Sequence, residues 1–187
     1  MEIHRLNQII TCSVQDMVYR FWDNPYEYLH KFELQAELFS FISSRLRCTS
    51  TGGTITDGED MLGQRSTSIL KGEYPASYEF DLAIIDSAAD PQKDIYSLPI
   101  QSAIEVVFQQ EPGMDVCQSI LDDHNKLQHY WKTVLNSSKN FIGVAVIFFH
   151  RKDKHAHFLQ YVKATPIEDV ELTPGVNGLV VFEDGLL

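Results

Sequence analysis

Two stretches decide the fold: SYEFDLAIID at residues 77–86 and IQSAIEVVFQ at residues 100–109. Each is a run of apolar residues, rich in β-branched and aromatic side chains, of the length of one strand. A carboxylate interrupts each run, Asp81 in the first and Glu105 in the second. A carboxylate in a core strand is costly unless it is paired or bound to metal. Two such interruptions in consecutive strands therefore point to a site. Side chains alternate along a strand, so Glu105, Val107 and Gln109 share one face, as do Asp81, Ala83 and Ile85. If the strands are neighbours, both carboxylates reach one spot, and hard divalent cations such as Mg²⁺ prefer oxygen ligands of this kind.

Outward from this pair, ILKGEY at 69–74 predicts a shorter strand, ended by Pro75. Upstream, residues 49–68 are rich in Thr, Ser and Gly and read as a loop or loose hairpin. Before them, residues 26–47 give the clearest helix, with Leu34, Leu38, Phe41, Ile42 and Leu46 on one stripe. Residues 14–23 also have helical spacing, stopped by Asn24-Pro25, while residues 1–13 read as a short helix or an arm.

Downstream of the pair, residues 115–136 predict a helix whose buried side holds Ile120, Leu121, His124, Leu127, Tyr130, Trp131 and Val134. Residues 140–150, NFIGVAVIFFH, are almost wholly apolar, which suits a strand covered on both faces. A further strand is expected at 156–164, and the tail run GLVVFE can add an edge strand. The expected architecture is α/β: a mixed β-sheet core flanked by helices, in the order α-β-β-β-α-β, within a single domain whose core spans about residues 26–164.

Taken together, these segments resemble the PD-(D/E)xK, or restriction-endonuclease-like, nuclease superfamily. The residues that carry the resemblance are Glu33-Leu34-Gln35-Ala36-Glu37-Leu38, Glu73-Tyr74-Pro75, Asp81-Leu82-Ala83-Ile84 and Ala103-Ile104-Glu105-Val106-Val107. They are followed by Gln128, Tyr130 and Trp131 on a helix and by the strand at 143–149. The resemblance covers about residues 26–150 and implies a restriction-endonuclease-like fold with a metal-dependent nuclease acting on DNA. It implies Asp81 and Glu105 as ligands of Mg²⁺ or Mn²⁺, with Glu37 as a further ligand or as the group that positions water. The family's lysine, two residues after the glutamate, helps activate water and stabilises charge on the phosphate. That position is Val107 here. Three explanations stand side by side. The role has moved to Gln109 or to a lysine elsewhere, such as Lys71 or Lys126; a metal suffices alone; or catalysis is lost and the fold binds a partner protein or nucleic acid.

Composition limits these readings. With a net charge of −11, non-specific coating of nucleic acid is disfavoured, so any DNA-binding face is local. The densest basic cluster is His150, Arg151, Lys152 and Lys154, a candidate phosphate contact or a solvated turn. His155 and His157 alternate on one expected strand face with no third ligand evident nearby. Cys12, Cys48 and Cys117 form no metal or disulfide pattern and read as small apolar residues. The chain has no P-loop, GxGxxG, GxSxG or HExxH pattern. No run approaches the ~20 apolar residues of a membrane helix, and the first residues lack a signal peptide's apolar core. The expected location is the cytosol.

Overall fold

A computed structural model describes residues 3–24, 27–46, 58–59, 65–66, 68–75, 77–86, 98–109, 116–149 and 175–180. The expected strand at 156–164, the histidines 155 and 157 and the basic cluster at 150–154 lie outside the described residues.

Helix α1 spans Ile3–Asp23 without a break. Leu6, Ile9, Ile10, Val14, Met17, Val18 and Phe21 recur at helical spacing and are all buried. The apolar stripe thus runs through the division between arm and helix that the sequence led us to expect near residue 13. Helix α2, Lys31–Leu46, buries Leu34, Leu38, Ile42 and Leu46, one per turn. It starts later than the expected residue 26 because the Glu33 carboxylate accepts the amides of Leu29 (2.6 Å) and His30 (2.8 Å). That is the reach-back half of a capping box, which fixes the first turn.

Strands β1 (Gly58–Glu59) and β2 (Arg65–Ser66) pair antiparallel as a small hairpin. Strands β3 (Ser68–Tyr74), β4 (Phe80–Asp86) and β5 (Ile100–Gln109) form an antiparallel meander. Helix α3, Val116–Thr133, then crosses over, and β6 (Ile142–Phe149) joins β5 in parallel. Strand β7, Gly175–Val180, adds an edge strand in parallel beside β6 and shares residues 178–180 with the tail run GLVVFE, from which an edge strand was expected. The sheet is therefore five-stranded and mixed, in the order β3-β4-β5-β6-β7.

The two faces of the sheet carry separate cores. Leu82, Ile84, Ile104, Val106, Phe108, Val144, Val146 and Phe148 pack with α1 and α2. Ala83, Ile85, Ala103 and Ala145 lie on the other face with Leu127 and Tyr130 of α3. Covering on both faces explains why β6 is buried from Ile142 to Phe148. Helix α3 buries less than its sequence led us to expect: Leu121 is 40% exposed, and Val134, one residue past the helix end, is 48% exposed. Among the described residues no helix is long and apolar enough to cross a membrane.

Candidate functional site

Strands β4 and β5 pair through Ala83↔Ala103 and Leu82↔Ile104. The next step of that register sets Asp81 across from Glu105. Alternation puts both on the α3 face, in line with Ala83 and Ala103. Both are buried, Asp81 at 6% exposure and Glu105 at 0%. The two intrusions that the sequence marked are thus brought together.

Asp81 is held by two donors on one oxygen. The Val106 amide donates to Oδ2 at 2.7 Å, and the Lys31 ammonium, from the first residue of α2, reaches the same oxygen at 2.8 Å. Lys126, from α3, makes an ion pair with Glu105 Oε1. Its Nζ also lies 3.8 Å from Asp123 Oδ1, 3.5 Å from the Glu79 carbonyl and 5.6 Å from the centre of the Phe80 ring. The other oxygen of Glu105, Oε2, is buried and meets no hydrogen-bond partner among the described residues.

Burial drives the electrostatics. It pushes the Glu105 carboxyl up to about 8, with the negative charge of Asp81 adding to the rise and Lys126 opposing it. Burial also raises Asp123; Lys126 and Lys31 pull it back, and Asp81 and Asp122 add to the rise. For Lys126, burial works against the charged form, but Glu105, Asp123 and Asp81 outweigh it and raise the ammonium. The cluster is therefore three acids and two lysines in mutual contact or field. An open cleft of about 320 Å³ adjoins it, lined by Lys31, Val106, Val107, Phe108, Ser119, Asp122 and Asp123.

The remaining sequence candidates fall elsewhere. Glu37 accepts a hydrogen bond from the Tyr28 hydroxyl and pairs with Arg20 Nε at 3.3 Å. It ties α2 to α1, and no contact among the described residues joins it to Asp81 or Glu105. Glu33 caps α2. Glu73 is exposed at the end of β3, with φ of 48°. Asp81 is paired by Lys31. Gln109 pairs through its backbone with Phe149 at the end of β5, and its side chain lies outside the described set.

Lys31 and Asp123 were missed in the sequence, yet both carried a signal. Lys31 precedes Leu34 and Leu38 by three and seven residues, so it lies on the buried face of α2. Asp123 and Lys126 flank Leu127 and Tyr130 at helical spacing, on the side of α3 that meets the sheet.

Two carboxylates with one orphaned buried oxygen fit a divalent cation with oxygen ligands. Among the described residues, however, no group of three or more His, Cys, Asp or Glu is placed to hold a metal ion. Water or substrate would have to complete the coordination, as is usual for Mg²⁺. No family model, curated protein or solved structure matches this chain.

Proposed function

We propose that this chain is a divergent PD-(D/E)xK-type phosphodiesterase acting on DNA, with its lysine supplied by α3. The observation that carries the proposal is the opposition of Asp81 and Glu105 across β4 and β5, with Lys126 paired to Glu105. Position 107 is a valine, so the strand supplies no amine; the helix behind it does. Support also comes from the order of α2, a three-stranded antiparallel meander, α3 and a parallel strand, the element order that the family resemblance implies.

In this reading Asp81 and Glu105 hold Mg²⁺ or Mn²⁺. Such a cation lowers the pKa of a water and draws charge from the phosphoryl oxygens. The Val106 amide fixes the Asp81 carboxylate. Lys126 supplies a protonated amine for charge that develops on the phosphate. Phe80 and Asp123 restrict where that amine goes. The basic cluster at residues 150–154 is the candidate contact for flanking DNA.

A second reading is a non-catalytic fold that binds a protein or nucleic acid. It draws on the ammonium partner that each carboxylate already has and on the net charge of −11. One experiment separates the two. DNA is incubated with Mn²⁺ and either the natural chain or the Asp81→Ala, Glu105→Ala double variant. Cleavage by the natural chain alone supports the enzyme, and Lys126→Ala then slows it by about 10²–10³. Mn²⁺ binding that depends on Asp81, with no cleavage, supports the second reading. Equal products from both proteins end the nuclease reading.

A further inference from the structure

The two lysines hold the acid pair on unequal terms. Lys126 is 28% exposed and is enclosed by Glu105, Asp123, the Glu79 carbonyl and the Phe80 ring. Lys31 is 42% exposed and, among the described residues, has one ion pair, to Asp81. Asp81 does not depend on it for orientation, because the Val106 amide grips the same oxygen. The Lys31 side chain also lines the open cleft beside the site, whose other walls are Val107 and Phe108 of β5 and Ser119, Asp122 and Asp123 of α3. A long, flexible side chain can thus leave Asp81 and stay at the mouth of the site.

An ammonium and a divalent cation repel each other if both sit on Asp81. Once the carboxylate is neutralised by the stronger cation, Lys31 loses its ion-pair partner and keeps only the longer-range field of Asp123 across the cleft. The same cleft is then where a polyanion must approach the acid pair. The lysine stands at the first residue of α2.

We infer that Lys31 is an exchangeable cation: it neutralises Asp81 when no metal is bound and binds a DNA phosphate when one is. This rests on the nuclease reading and extends it, by naming the residue that links metal entry to substrate capture. Its signature is opposite in sign for the two ligands. A lysine that only braces the fold loosens both ligands when removed, or neither.

The test uses the full chain and its Lys31→Met variant. Calorimetry with Mn²⁺ gives a dissociation constant about five-fold lower for the variant, because a repelling charge is gone. Anisotropy of a labelled DNA duplex with Ca²⁺, over a salt series, gives weaker binding, and the slope of log K against log salt falls by about one. Lys31→Arg keeps the slope of the natural chain. Lys31→Gln gives the same two shifts as methionine and replaces it if that variant melts early. Looser Mn²⁺ binding in Lys31→Met, or an unchanged salt slope, overturns the inference and leaves the nuclease reading standing. Absence of Mn²⁺ binding in the natural chain overturns both.

Discussion

The two faces of the sheet are made by the same strands and built to different ends. Toward α1 and α2, β4, β5 and β6 present Leu82, Ile84, Ile104, Val106, Phe108, Val144, Val146 and Phe148, met by leucine, isoleucine, methionine and phenylalanine from two helices. Toward α3, the same strands present Phe80, Ile85 and Ile100 beside the small Ala83, Ala103 and Ala145 and the two acids, and one helix covers them with Leu127 and Tyr130. The first face is dense and mostly apolar, with Arg5 of α1 as its buried charge. The second is thin, carries a buried charge cluster and opens into a cleft. The difference teaches that the dense apolar packing and the buried charge cluster are separated by the sheet. One layer can therefore tolerate the cost of buried acids because the other layer holds the fold together.

The largest effect comes from breaking the dense face. Leu38 is fully buried in α2. Leu38→Ala removes its packing and leaves a cavity, so denaturant unfolding shows a loss of about 2–5 kcal/mol. Under conditions where the variant is folded, its Mn²⁺ affinity equals that of the natural chain. A matching loss of Mn²⁺ binding in the folded variant would show that the two faces are not independent.

The next effect is on the thin face and reverses the sign. Glu105 is raised to about 8 in the fold, from an ordinary carboxyl value of 4.5 in the open chain. Below pH 4.5 both forms keep the proton and the burial costs little. Between 4.5 and about 8 the open chain releases a proton that the fold retains, so stability falls as pH rises. Above that range the loss is complete. Asp81 and Asp123 sharpen the trend and Lys126 softens it. Glu105→Gln removes the trend, so the stability difference between variant and natural chain moves in the variant's favour by about 2–4 kcal/mol from pH 4.5 to pH 8–9. Melting curves across this range check it. A natural chain whose stability does not drop, relative to the variant, between pH 5 and 8 would remove Glu105 as a strained acid.

How much of this was legible follows from the same contrast. The strands at 80–86 and 100–109 showed in the sequence because their apolar runs are long and each is broken by one acid. Register then converted two isolated anomalies into a facing pair. Lys126 stood among several possible lysines, because periodicity puts a residue on a helix face without telling which strand that face meets. Lys31 and Asp123 were hidden by being ordinary charged residues at helix ends and faces, although the phase of Leu34 and Leu127 placed them. Glu37 misled for the opposite reason. It precedes Leu38 by one residue and so lies beside the apolar stripe, but the same edge of α2 also faces α1 and the segment before α2, and Arg20 and Tyr28 claim it there.

Glu37 therefore gives the smallest and most discriminating effect. Its partner Arg20 is half exposed at 52%, and solvent screens such pairs. The Tyr28 hydroxyl is better shielded; burial first, then Glu37, raises its pKa above the ordinary tyrosine range. Glu37→Gln keeps a hydrogen-bond acceptor for that hydroxyl while removing the charge, so stability falls by only about 0.5 kcal/mol. Mn²⁺ affinity, measured beside Asp81→Asn as the positive control, stays unchanged. The reason is spatial: a charge that helps bind the cation must lie in its field, and Glu37 is committed to the brace between α1 and α2. If Glu37→Gln weakened Mn²⁺ binding as Asp81→Asn does, the metal-binding charge would extend across the helical layer, and the division of labour between the two faces would fail.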